Sequence, residues 1–211
     1  YDEINDIYIA DGHHRSASSS RFYNDSENKT DLKAHFLAYF ISSERMCIMD
    51  YNRLVRDLND MSKAELINAI EDSFIITQLP NNDIYSRGLH NILMYIDDIW
   101  YNLQAKEHII NRDNPVESLD THILSQFLLK PILGVKSLKT DKRIDFVSGN
   151  KGLDGIKSSV DSGKFKLGFG LYPVSAKQLK DVADAGLIMP PKSTWIEPKL
   201  RSGLTIYPLN D

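Results

Sequence analysis

Apolar residues recur along this chain at two spacings, and the spacing changes from segment to segment. Short apolar runs bounded by Gly, Pro, Asn and Asp predict strands at residues 7–10, 47–49, 74–77, 143–147, 165–172 and 204–207. Spacing of three and four predicts helices over 13–23, 31–41, 62–74 and 118–129, a short one ending near 160, and one over 175–186. Asp31 is placed to cap the second of these, with Leu32, His35, Phe36, Tyr39 and Phe40 on one stripe. Ser62 followed by Glu65 has the form of a capping box. Ser175 is the cap, and Gly186 the stop, of the last helix. The segments "LHNILMYI" and "IWYNLQAK" flank Asp97-Asp98, and a two-residue turn there pairs Ile96 with Ile99 and Tyr95 with Trp100.

Strands and helices are therefore interleaved, with at least one hairpin. The predicted class is α/β (α+β): a mixed sheet containing an antiparallel hairpin, flanked by helices. A division near residue 80 separates residues 1–80 from a mixed α/β region, 81–211, with a single domain as the alternative.

With 42% hydrophobic residues in 211, the chain can bury a core. The net charge of −4 comes without a basic stripe, which argues against nucleic acid as a partner. No apolar run approaches the roughly 18–20 residues that span a bilayer, so no membrane partner is expected. A single cysteine, Cys47, rules out an internal disulfide framework and a cysteine-based zinc site, and fits a reduced, cytoplasmic setting. In its apolar strand Cys47 reads as core. The chain begins at Tyr1 and reaches its most loaded motif within a dozen residues, which reads as a fragment whose upstream part is missing.

That motif is "IADGHHRSAS", residues 9–18. A Gly turn entering a helix gathers unpaired backbone N–H groups, and the helix dipole adds positive character. Gly12 lets a bulky anion approach, His13 and His14 can donate hydrogen bonds, and Arg15 can grip a phosphate with two. Asp11 and Ser16 flank them. These residue types suit a phosphate or carboxylate. A metal held by the histidines and a plain turn are the other readings. Asp11 either fixes the turn or helps to hold Mg²⁺, and the turn role is favoured.

A second candidate is "MPPKSTWIEPKLRSGL", residues 189–204. Lys192, Lys199 and Arg201 lie on a proline-stiffened segment, Ser193 and Thr194 add hydroxyls, and Trp195 can stack or join the core. A third is Gly149-Asn150-Lys151-Gly152, which follows a strand but lacks Walker spacing and reads first as a glycine loop with a helix cap. His35, His90, His108 and His122 share no spacing and read as structural or exposed.

Taken together, "YIADGHHRSAS", "MDYNRLVRDLN", "WYNL", "LDTHILSQFLLKPILG", "DKRIDFVSGNKG" and "MPPKSTWIEPKLRSGL" resemble a bacterial family, the domain of unknown function numbered 1015. The resemblance runs in order through nearly the whole chain. That family's members are about twice this length, so the resemblance implies a C-terminal half that lacks its N-terminal partner. The Asp-Gly-His-His-Arg segment is also similar to the signature of the ParB/sulfiredoxin-like superfamily, which includes partition proteins, sulfiredoxin and free-serine kinases. In that group the segment opens a helix and holds nucleotide phosphates. The resemblance therefore implies that Gly12, His13, His14 and Arg15 contact phosphate, in a ParB/sulfiredoxin-like unit at the N-terminus. Sulfiredoxin has a catalytic cysteine in this segment and this chain has only histidines, so sulfinic acid reduction is not implied.

The expectation that follows is a nucleotide-binding domain acting as a phosphotransferase on a small hydroxylated metabolite. His13 and His14 would be its catalytic candidates, Lys192, Lys199 and Arg201 its outer cations, and ATP or ADP with Mg²⁺ its cofactor. The alternatives are a nucleotide- or anion-sensing module without chemistry and a metal-dependent hydrolase using the histidine pair.

Overall fold

The computed structural model describes residues 4, 6–80, 88–201 and 203–209. The chain divides into two compact units: one runs from Ile48 to Trp195, and the other combines the residues up to Cys47 with those from Ile196 onward. The crossings fall in two short strands, β1 (Cys47–Met49) and β8 (Trp195–Glu197).

The continuous unit is organised by a six-stranded sheet of β2 (Tyr51–Val55), β3 (Phe74–Leu79), β4 (Asn91–Ile96), β5 (Ile99–Ala105), β6 (Ile144–Ser148) and β7 (Leu167–Gly170). Its order is β3-β5-β4-β7-β2-β6, and every pairing is antiparallel. The hairpin takes the predicted register, Ile96 opposite Ile99 and Tyr95 opposite Trp100. Asp97 and Asp98 both lie at positive φ, 47° and 60°, the left-handed pair that matches the twist of a two-residue hairpin.

Helices cover both faces of the sheet. On one face α2 (Lys63–Glu71) and α3 (Asp120–Leu124), which continues as a π-turn over Ser125–Leu129, bring Leu66, Ile70, Ile123, Leu124, Leu128 and Leu129. These pack with Val55, Met94, Leu103, Leu167 and Phe169 of the strands. The predicted helix over 118–129 thus forms with its second half widened to i→i+5 bonding, and Lys130 N–H reaches back to the Ser125 carbonyl at 3.0 Å. Ser62 and Glu65 make both bonds of the capping box at the head of α2.

On the other face α4 (Gly152–Asp161) sets Leu153 and Ile156 against Leu54, Leu93, Tyr95, Trp100 and Val147. Gly168 of β7 allows this close approach: a Cβ there would run into Ile156 Cγ2 and come within 3.1 Å of Leu54 Cδ2. The Tyr95 hydroxyl ties the hairpin to α4, donating to Asp161 at 2.7 Å and accepting from Lys157 at 2.6 Å. Burial, outweighing the Lys157 ammonium and joined by the Asp161 and Asp98 hydrogen bonds, pushes this phenol up to about 12. The fifth helix, α5 (Ala176–Asp184), carries the Ser175 cap and packs Val182 with Leu119 and Val174.

In the discontinuous unit the regular element is α1 (His13–Asp25), which matches the predicted helix and has no buried residue. Three expectations are corrected here. Residues 7–10 and 204–207 form no strand, and the helix expected over 31–41 is reduced to a single 3₁₀ turn, Leu32–Ala34. Phe36, Tyr39 and Phe40 of that stripe are exposed, as are Leu37, Ile7, Ile9, Leu204 and Ile206. A short helix or a lone strand is marginal without a packing or pairing partner, and these segments have too little burial to hold one. Cys47 is also exposed rather than in the core. Among the described residues no helix is long and apolar enough to cross a membrane.

Candidate functional site

The Asp-Gly-His-His-Arg segment stands where a loop becomes α1. Gly12 is the N-cap at φ 85°, a left-handed conformation that glycine adopts without steric cost. Among the described residues no N-cap side chain bonds the start of this helix, since glycine has none to offer. Asp11 builds the turn, accepting from the Gly12 N–H at 2.8 Å through one oxygen and from Lys199 Nζ at 3.0 Å through the other. Burial raises the Asp11 carboxyl, but the Lys199 and Gly12 hydrogen bonds, helped by the Arg15 charge, outweigh it and leave it below its ordinary value. The Arg15 side chain folds back over the turn, and a Cβ on Gly12 would stand 3.1 Å from Nη2 and 3.3 Å from Nε. Two cations thus bracket one carboxylate at the positive end of a helix.

Beside this turn opens a pocket of about 470 Å³, lined by His14, Arg15, Ser18 and Ser19 of α1 and by Phe36, Leu37, Tyr207 and Leu209. Its polar wall is helix and its apolar wall comes from two distant segments, the mixture typical of small-molecule sites. Sequence reasoning missed those apolar residues. The signal was present in the apolar stripe at 31–41, but it was read as a helix rather than as a wall.

Of the predicted site residues, Asp11, Gly12, Arg15 and Lys199 are brought together, and His14 joins Arg15 at the pocket. His13 and Ser16 stay on the first turn of α1 without lining it, and Arg201 is exposed. Lys192 belongs to the other unit, where its ammonium lies 5.2 Å from the centre of the Tyr51 ring and 5.8 Å from that of Phe146. Its neighbour Ser193 is buried and bonded to Thr121 at 3.1 Å and the Pro190 carbonyl at 2.8 Å. Gly149 of the third candidate serves packing, since a Cβ there would strike Met49 and approach the Asp50 carbonyl to 2.7 Å. His90 pairs with buried Asp120 at 3.0 Å. Among the described residues no three His, Cys, Asp or Glu side chains converge as metal ligands.

One charged residue belongs to none of the three candidate segments. Arg53, in the middle of β2, is wholly buried, and among the described residues its Nε and Nη2 have no hydrogen-bond partner. Only Nη1 is engaged, with the Tyr51 carbonyl. Burial pushes its guanidinium down to about 9.

Several solved structures resemble this one. A free serine kinase in complex with AMP aligns with a TM-score of 0.50 at 13% identity, over 89% of this chain and 66% of its own. A mutant of a free serine kinase with AMP gives 0.47 and 10%, again over 89% and 66%. A conserved hypothetical protein from Pyrococcus furiosus gives 0.49 and 11%, over 92% and 71%. At such identities the likeness is one of fold, and this chain spans just under two thirds of the kinase's length. No curated protein matches the sequence significantly. The family described as "Protein of unknown function (DUF1015)" matches residues 2–122, more than half of the chain, and the chain belongs to that family.

Proposed function

We propose that the turn at Asp11–Arg15 binds the phosphates of a nucleotide, as part of a ParB/sulfiredoxin-like unit at the N-terminal end. The observation that carries this reading is the uncapped start of α1, entered through a left-handed Gly12 and overlain by the Arg15 guanidinium. Helix-terminal N–H groups, a helix dipole and a two-pronged cation all favour a phosphate there. Lys199 adds a second positive charge, and the adjoining pocket, with Phe36 and Tyr207 on its wall, offers room for a base or a second substrate. Mg²⁺ would accompany the phosphates. Asp11 is already committed to Gly12 and Lys199, so the ion would be held by phosphate oxygens rather than by this carboxylate.

The activity proposed is phosphoryl transfer to a small hydroxylated metabolite, with His13 and His14 positioning and neutralising the transferred group. A binding module without chemistry is the second reading, favoured by the engagement of Asp11, which leaves no free carboxylate in the turn to accept a proton. The hydrolase reading has no set of three ligands among the described residues.

AMP is the ligand of the free serine kinase structure, and adenine nucleotides are therefore the first probes. Calorimetric titration with ATP and ADP, with and without Mg²⁺, is expected to give saturable binding that Arg15→Ala weakens about tenfold or more, the worth of a charge-assisted pair. His14→Ala is expected to weaken it less. Equal binding by the wild type and both variants would refute the site. Transfer of phosphate from bound ATP to serine or a related hydroxy compound separates the enzyme from the sensor.

A further inference from the structure

In the continuous unit a second group of cations has no carboxylate paired with it among the described residues. Arg53 and Lys192 come from segments far apart in sequence, yet both sit over the ring of Phe146, at 4.9 Å and 5.8 Å from its centre. Tyr51 completes the cluster: its ring meets Phe146 edge-on at 5.7 Å and Trp195 at 5.6 Å, and Lys192 Nζ lies 3.4 Å from its hydroxyl. Among the described residues neither cation forms an ion pair. Aromatic faces offset part of the lost hydration of a cation, but they do not replace hydrogen-bond acceptors. Arg53 keeps two buried N–H-bearing nitrogens, Nε and Nη2, with no acceptor among the described residues.

Register explains how an arginine comes to lie there. Tyr51, Arg53 and Val55 alternate onto one face of β2, and Arg53 faces Phe146 of β6 on one side and Phe169 of β7 on the other. Val55 and Phe169 belong to the main core, so the strand carries a fork-shaped cation among apolar groups. Lys192 is exposed, which gives the cluster one buried and one solvent-facing cation. It also holds a left-handed conformation, φ 60°, with the loop fixed by the buried Ser193. An unsatisfied buried group of this kind calls for a partner that the described residues do not provide.

We infer that Arg53 and Lys192, with Tyr51, Phe146 and Trp195 around them, form a second anion site that takes a small oxyanion, a phosphate or carboxylate group. Arg53 supplies the planar fork formed by Nε and Nη2, and Lys192 closes over the oxyanion from the solvent side.

The test uses the whole chain carrying His14→Ala and Arg15→Ala, so that the turn at α1 does not contribute. Inorganic phosphate and, separately, acetate are titrated while tryptophan fluorescence is followed, Trp195 being the reporter against Tyr51. The expected result is a saturable change with at least one of the two anions, and which one identifies the ligand group. Lys192→Gln is expected to weaken binding about tenfold, and Arg53→Lys, which keeps the charge but removes the fork, to weaken it further. The inference is overturned if neither anion gives a saturable change, or if the variants titrate like their parent. Should Arg53→Lys fail to fold, the exposed Lys192→Gln decides alone.

Discussion

Gly168→Ala measures how tightly α4 is set on the sheet. The added methyl would overlap Ile156 Cγ2 and press on Leu54 Cδ2, both in the buried cluster that includes Trp100. Neither neighbour can swing away, since Ile156 is wholly buried and Leu54 nearly so. Overpacking of this kind costs about 1–3 kcal/mol. Ile156→Ala alone removes the clashing methyl and leaves a cavity, at about 2–5 kcal/mol. Combined, the two changes compensate, because the new methyl occupies space the isoleucine has vacated. The double variant should therefore fall short of the sum of the singles by about 1–3 kcal/mol, the range for residues in direct contact. Urea unfolding in a Trp195→Phe background, read by Trp100 fluorescence and by far-ultraviolet circular dichroism, gives all four corners of the cycle. Additivity within about 0.5 kcal/mol would show that Gly168 is not there for the helix and would refute the argument.

Asp141→Asn tests an acid-sensitive clamp. Arg143 bonds Asp141 at 3.0 Å and the Leu133 and Gly134 carbonyls at 3.1 and 2.7 Å, and the Arg143 hydrogen bonds hold the Asp141 carboxyl below its ordinary value. A lowered folded-state value means stability that is complete above the unfolded value of about 3.9 and is lost as pH falls through the folded one. The variant should be less stable than wild type at pH 7, with the gap closing on acidification below about pH 4; a gap that persists at pH 2 in urea titrations would refute the assignment. Arg53→Met should leave stability unchanged or raise it by about 1–4 kcal/mol, since it replaces an unanswered buried cation with an apolar chain. A loss of more than about 2 kcal/mol in the same assay would instead make Arg53 a structural element.

The legible parts of the fold are those whose partners lie within the continuous unit. The Asp97-Asp98 turn, the Ser62–Glu65 box and the Ser175 cap are local chemistry, and each forms where the residues placed it. The apolar stripe at 31–41 and the runs at 7–10 and 204–207 were equally clear as patterns, yet they produced neither helix nor strand. Hydrophobic period reports that a segment needs a surface to cover it; it does not say whether that surface is present, and Phe36, Tyr39 and Ile206 are exposed. The candidate site was legible as far as residues contiguous in sequence could carry it, from Asp11 to Arg15. That Lys199 reaches Asp11 is visible in no contiguous motif, because the two stand 188 positions apart. Arg53 was hidden for a different reason. A charged residue in a strand is ordinarily assigned to the solvent face, and only the register opposite Phe146 and Phe169 reveals the buried side.

The discontinuous unit also has a bearing on folding order. Its two pieces, up to Cys47 and from Ile196, are separated by the whole of the other unit, so the bond from Lys199 to Asp11 spans nearly the full chain. Closing so long a loop in an unfolded chain carries a large entropic cost, and contacts of such separation form late. The turn at Asp11–Arg15 would then mature last, after translation has delivered Lys199, and a chain interrupted before that residue would carry the histidines without the lysine that pins their turn.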